Sequence, residues 1–329
     1  MPEVRNAAWP LMAAGLWLLG GCGGDSGPAM ASSISQTEAS AVGTAAASQL
    51  GGVAGGLAQF SSPSVGGVGA GVFGARAPTG RFVAATVGRV NPRIRQGLAL
   101  LQQDCTPAVS DPTDTDQDGI EDNATVVFSA ANCTFVDATT GLTVSATGTV
   151  HIQDTDNTTT VFGYDLNFTR FQVMLTDPTG AYPDISTGIN GSYTTTVTLL
   201  TASATENVAT DLTVAGSRVY VDHSVWTVAY DPAQGSIDPA NATLPAGNFT
   251  VDGNYTYAGD ADGRTATWSF GINTTAPLAY DGSCTDVDWP FSSGQVNVYL
   301  SGRQTVGFTV DYAGCGSPGT VTAFDNTAT

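Results

Sequence analysis

An all-β fold is predicted, either an antiparallel β-sandwich or one strongly curved multi-stranded sheet, and three observations predict it. From Cys105 onward apolar residues recur at every second position, the recurring residues are mostly Val, Tyr, Phe, Trp and Thr, and Gly, Asn-Gly or Asp-Gly turns separate the runs. About a dozen runs result, near 125–128, 133–137, 142–153, 160–175, 186–200, 208–214, 217–230, 248–258, 264–273, 294–301, 304–312 and 319–324. That many strands cannot lie flat in one open sheet, so the sheet must split or curl.

Individual runs carry more detail. In 193–201, Tyr193, Val197 and Leu199 share a face with Thr195 and Thr201, while Thr194, Thr196 and Thr198 point away. In 162–175 the apolar side changes: Phe162, Tyr164, Leu166 and Phe168 lie on one face, but Phe171, Val173 and Leu175 on the other, which predicts a bulge between them. Residues 254–272 read as a hairpin turning at Asp260-Ala261-Asp262-Gly263, with Tyr255 and Tyr257 facing Ala266, Trp268 and Phe270.

Before the strands the chain changes character twice. Residues 1–21 hold one arginine, Arg5, and an apolar run from Trp9 to Leu19, too short to span a bilayer and of the form of an export signal. Its end, Leu19-Gly20-Gly21-Cys22, resembles the bacterial lipobox. The resemblance implies cleavage before Cys22, lipidation of that cysteine and, because Gly23 is not the aspartate of inner-membrane retention, anchoring in the outer membrane. From 22 to 80 the composition collapses to Ala, Gly, Ser and Val, which reads as a flexible tether, with 35–50 alanine-rich enough to be partly helical. The β domain is then expected over 81–329, opening with a short amphipathic helix: Asn91-Pro92 starts it, and Ile94, Leu98 and Leu101 follow at helical spacing.

Composition narrows the partners. The ten basic residues are all arginine and the net charge is −19, so nucleic acid and other polyanions are excluded as ligands. Beyond residue 95 four arginines stand against 26 acids. Hydrophobic residues make up 42% of the chain, enough for a real core. An exported chain meets an oxidising compartment, so the cysteines after Cys22 are expected to pair. Three connectivities are possible; we favour Cys105 with Cys133 and Cys284 with Cys315, each pair being neighbours in sequence.

The most specific internal motif is Asp114-Thr115-Asp116-Gln117-Asp118-Gly119-Ile120-Glu121-Asp122, within a loop expected over 111–123. Oxygen ligands at alternate positions, with a glycine for the sharp turn, are what a hard Ca2+ ion requires. The string resembles the unit of thrombospondin type 3 calcium repeats and, more loosely, an EF-hand loop. It departs from the EF-hand in having Thr125 where the bidentate glutamate would stand and in lacking flanking helices. The resemblance implies Asp114, Asp116, Asp118 and Asp122 as ligands, with Ile120 through its carbonyl, and a stabilising role for calcium.

Candidates for catalysis are few. Only His151 and His223 are of the residue type that can serve as a base at neutral pH. Asp222-His223-Ser224 has the residues of a triad, yet on a strand His223 faces away from the other two, with Val219, Val221 and Val225, as a half-buried sheet histidine. Gly24-Asp25-Ser26-Gly27 copies a protease nucleophile string but sits on the tether. The expected protein is therefore a non-catalytic structural or binding module of the envelope with no assigned catalytic residue. Two alternatives stay open: a glycan hydrolase using paired carboxylates such as Asp286 and Asp288 beside Trp289 or Asp260 and Asp262, and a lipid carrier with an apolar hollow lined by Phe162, Phe168 and Trp268.

Overall fold

The computed structural model describes residues 29–58, 105–110, 113–116, 120–136, 141–158, 161–180, 183–237, 244–261, 264–284, 290–317 and 319–325. Among these residues one helix, α1 (Gln36–Ala58), precedes thirteen strands: β1 (Ala108–Ser110), β2 (Ala124–Phe128), β3 (Thr134–Val136), β4 (Thr143–Asp154), β5 (Phe162–Thr176), β6 (Ile185–Val197), β7 (Ala202–Val214), β8 (Ser217–Pro232), β9 (Gly247–Ala261), β10 (Arg264–Tyr280), β11 (Ser293–Leu300), β12 (Val306–Tyr312) and β13 (Thr320–Asp325). All belong to one antiparallel sheet in sequence order, except that β3 pairs beside β2 on the same edge of β4. The class is all-β, and of the two expected architectures the single curved sheet is the one seen.

The alternation puts aromatic and aliphatic residues on one face. On β9, Phe249, Val251, Tyr255 and Tyr257 are buried while Asn248, Thr250, Asp252 and Asn254 are exposed. With polar residues outward and rings inward, the sheet has the reverse of the polarity of a membrane barrel. Among the described residues no helix is long and apolar enough to cross a membrane.

The predicted change of face in β5 is a bulge. The pairing shifts between Phe168 and Phe171, Arg170 adopts a positive φ of 49°, and Asn190 Oδ1 accepts its amide at 2.7 Å. Phe168 and Phe171 consequently enter the same core, with ring centroids 6.1 Å apart. Related kinks mark other strands: Gly148, Gly191 and Gly253 have φ of 118°, 129° and 149°, and each is paired across the ladder with an aromatic residue, Phe128, Phe168 and Trp226 respectively. Glycine kinks covered by a neighbouring ring are how a sheet bends sharply without opening a hole. The predicted β9–β10 hairpin also stands, with Tyr257 opposite Trp268 and Tyr255 stacked near Phe270.

Three expectations need correction. Within the segment expected as tether, α1 is a formed helix whose Ala39, Val42, Leu50, Ala54 and Leu57 are buried. It packs on β7, β9, β12 and β13, so this part of the chain belongs to the core. Next, β6 ends at Val197: Leu199 and Leu200 are 51% and 68% exposed, because the Thr198 hydroxyl turns the chain by accepting the amides of Leu200 and Thr201. Last, His223 is exposed beside Val219 and Val225, and it is Asp222 and Ser224 that face the core. The short helix expected at 91–101 lies outside the described residues.

The start of α1 is tied to both ends of the curl. Ser35 and Glu38 form a capping box, Glu38 N donating to Ser35 Oγ at 3.2 Å and Ser35 N to Glu38 Oε2 at 2.7 Å. Glu38 also pairs with Arg264 of β10 at 2.8 Å, and the Arg264 guanidinium lies 5.2 Å from the Trp268 ring centroid. In the same turn, the Gln36 amide donates to Val321 O at 3.0 Å and accepts from Ala323 N at 2.7 Å, both on β13. In a flat sheet β10 and β13 would stand about 14 Å apart. Contact of one helical turn with both shows the sheet edge curling over the helix.

Both favoured cysteine pairs are disulfides, Cys105–Cys133 and Cys284–Cys315.

Candidate functional site

The acidic loop lies at the pole where β4 ends and β5 begins. Asp122 N donates to Thr113 O at 2.7 Å, and Asp122 in turn accepts Thr115 N at 3.0 Å and Thr115 Oγ1 at 2.5 Å. Those bonds, the hydroxyl foremost, hold the Asp122 carboxyl below the usual range. Ile120 anchors the loop from beneath, its side chain buried in the core cluster.

The loop does not stand alone. Asp154 N donates to Glu121 O at 3.1 Å, which docks the loop on the end of β4. Asp154 itself is only 5% exposed. Desolvation first, and then the like charges of Asp116, Asp122 and Asp156, push its carboxyl upward. Glu121 is raised in the same way, by desolvation and by Asp114. The Asn157 amide fits best turned so that it donates to Asp122 Oδ1 at 2.7 Å and Asp154 Oδ2 at 3.2 Å, a neutral donor among acceptors. The carboxylates of Asp116, Asp122 and Asp156 are thus gathered around Asp154.

The gathering is not yet a coordination shell. Among the described residues no three His, Cys, Asp or Glu converge tightly enough to hold a metal ion, and the expected ligand Asp118 lies outside the described residues. Sequence reading missed Asp154 and Asp156. The available signal was a second acidic run, Asp154-Thr155-Asp156-Asn157, at the end of the strand that pairs with the one leaving the loop.

A second polar group lies inside the sheet. Glu206, Thr210, Asp222 and Ser224 are buried on the inner faces of β7 and β8. The Ser224 hydroxyl bonds closely to the Glu206 carboxylate and also approaches Val208 O, and Tyr255 OH donates to Asp222 Oδ2 at 3.2 Å. His223 takes no part: on the outer face its Nε2 bonds Asn207 Oδ1 at 2.8 Å. His151 likewise bonds Asn123 Oδ1 at 2.7 Å. The serine therefore has no imidazole to take its proton, and the string is not a triad. Sequence reading began this strand at 208; carried back to Ala202, its period-two spacing sets Glu206 with Ala204 and Val208, the signal for a buried carboxylate there.

Of the remaining candidates, Cys22, the 24–27 string, Asp262 and the Asp286, Asp288, Trp289 group lie outside the described residues. Asp260 accepts Tyr257 OH through its carbonyl at 3.0 Å. Phe162 and Trp268, expected to line a carrier's hollow, are in ring contact with Tyr164 and Tyr257 at 5.8 and 6.0 Å, and Phe168 with Phe171. Comparison with family models, with curated proteins and with solved structures finds no match to this chain.

Proposed function

We propose that this chain is an envelope protein anchored to the outer membrane by lipid at Cys22, with a curved β domain that serves as a non-catalytic structural or binding module stabilised by Ca2+ at the 111–123 loop. The observation that carries the calcium part is Asp154, a buried carboxyl crowded by three carboxylates beside an Asp-x-Asp-x-Asp-Gly string. Like charges at that spacing repel in a region of reduced dielectric, and a divalent cation relieves the repulsion where protonation otherwise would. Asp114, Asp116, Asp118, Asp122 and the Ile120 carbonyl would hold the ion, closing the loop between Cys105 and Cys133.

The module reading rests on the wet outer face, the polar groups on it and the separation of His223 from Ser224. Calcium at one hundred times its dissociation constant would add about 2.7 kcal/mol to folding stability. For a domain of this size, that corresponds to a melting shift of roughly 5–10 °C. Thermal melts of the mature protein in calcium and in chelator test the metal; superimposable curves would remove it. The lipid anchor is tested by mass spectrometry of the N-terminal peptide, which must begin at an acylated Cys22.

A further inference from the structure

The chain docks on the sheet almost immediately after the cysteine. Ala31 N donates to Thr267 O at 2.7 Å and Thr267 N to Ala29 O at 2.9 Å, so Met30 forms a parallel bridge with the start of β10. The bridge lies before the β11 pairing, which begins at Phe270. Ser33 then takes Arg264 Nη2 on its carbonyl at 2.8 Å, and the capped helix follows. A leash from Cys22 to Ala29 spans seven peptide units, at most about 25 Å fully extended. A free tether over 22–80 would reach about 200 Å.

That leash leaves from one defined pole. The turns β5–β6, β7–β8 and β9–β10 lie at the end where β10 begins, and the β11–β12 turn opens the same way, level with Ser269 of β10. The acidic loop, Leu199 and Leu200, and the Cys284–Cys315 disulfide lie at the opposite end. Strands of 13 to 17 residues separate the poles by about 40–50 Å, twice the leash. An inverted, end-on attachment is therefore out of reach. Charge points the same way: at the leashed pole Arg218, Arg264 and Arg303 partly offset Glu38, Asp177, Asp184, Asp260 and Asp325, whereas Asp114, Asp116, Asp122, Asp154, Asp156 and Asp281 crowd the other with no arginine among the described residues there. An anionic leaflet repels the second pole far more than the first.

We infer that the pole bearing the β7–β8 and β9–β10 turns is a membrane-facing surface, held against the phospholipid headgroups by the short leash, and that the acidic-loop pole projects away from the bilayer. This rests on the reading of Cys22 as the lipidated residue. The test uses the full lipidated protein in phosphatidylethanolamine–phosphatidylglycerol vesicles that contain a headgroup-linked quencher, with one fluorophore at Ser217→Cys or at Leu200→Cys, both exposed positions. Quenching at 217 should exceed that at 200 by at least threefold. Inserting twenty Gly/Ser residues after Gly24 should bring the two together. Equal quenching without the insertion, stronger quenching at 200, or a contrast untouched by the insertion would overturn the orientation. A mature N-terminus without acyl chains at Cys22 would instead overturn the anchor reading, so the two failures are told apart.

Discussion

Gly253 carries a bend that no other residue can. A Cβ there would stand 2.1 Å from Val225 O, and φ is 149°, outside the range that residues with a side chain adopt. Gly253→Ala should therefore cost about 2–3 kcal/mol by thermal or urea melts. Gly271, one strand along, has ordinary backbone and nothing within 4 Å of the place an added methyl would occupy, so Gly271→Ala should stay within about 0.5 kcal/mol. Similar losses at both would remove the account of curvature from kinked glycines. Arg264 makes a second residue-scale case. Its partner Glu38 is 7% exposed while Arg264 is 41% exposed, so the pair is part-screened and removing the cation strands a buried carboxylate. Arg264→Ala should cost about 1–2 kcal/mol, which includes packing lost over Trp268, whereas Glu38→Gln keeps a capping acceptor and should cost less. The reverse order in paired melts would mean that the clasp is not what fastens the helix.

At the scale of elements, α1 and β13 depend on each other. β13 is the last strand in the order of the sheet, and Gln36 pairs two of its backbone groups as a neighbouring strand would. Gln36→Ala should open that edge and promote self-association, read as a concentration-dependent rise in sedimentation coefficient; a strictly monomeric variant would show that the edge is guarded otherwise. The same pair of elements shows what was legible in the sequence. Strand positions from β2 to β13 followed from alternation, and the bulge in β5 from its change of side, since both are local patterns of polarity. The packing of α1 was not legible because its small residues read as low complexity. Close approach is why they are small: a Cβ on Gly43 would lie 2.7 Å from Val321 and 3.0 Å from Phe308. The site divides in the same way. Contiguous Asp114–Asp122 was visible as a string, but Asp154 and Asp156 join it only through the β2–β4 and β4–β5 pairing. For β8 the valines suggested the wrong core face, because the interior there is lined by Trp226 and by Asp222 and Ser224, which bond Tyr255 on β9 and Glu206 on β7.

At the scale of the molecule, the inner face of the sheet is lined with tyrosines, and this sets its response to alkali. Burial pushes the Tyr257 phenol up from 10.0 to about 12, with Asp222 and Asp260 adding to the effect. Desolvation likewise raises Tyr193, where Glu206 contributes, Tyr230, where Tyr280 and Asp231 contribute, and Tyr312, whose hydroxyl faces Ala47 O of α1 at 3.5 Å. Each neutral phenol is thus retained in the folded state at a pH where the unfolded chain has lost its proton. The folded form binds more protons between about pH 10 and 12, so stability is unaffected below pH 10 and falls as pH rises beyond it. These rings belong to one contiguous core, so they should not ionise one at a time. Phenolate absorbance from the buried set should rise in a single cooperative step that coincides with loss of the near-ultraviolet circular dichroism. Tyr193→Phe, which removes a buried titrating group beside Glu206, should move that step to higher pH. Gradual ionisation with the aromatic dichroism intact would mean that the inner face admits water and hydroxide, and that the sheet does not close over its core as a sealed unit.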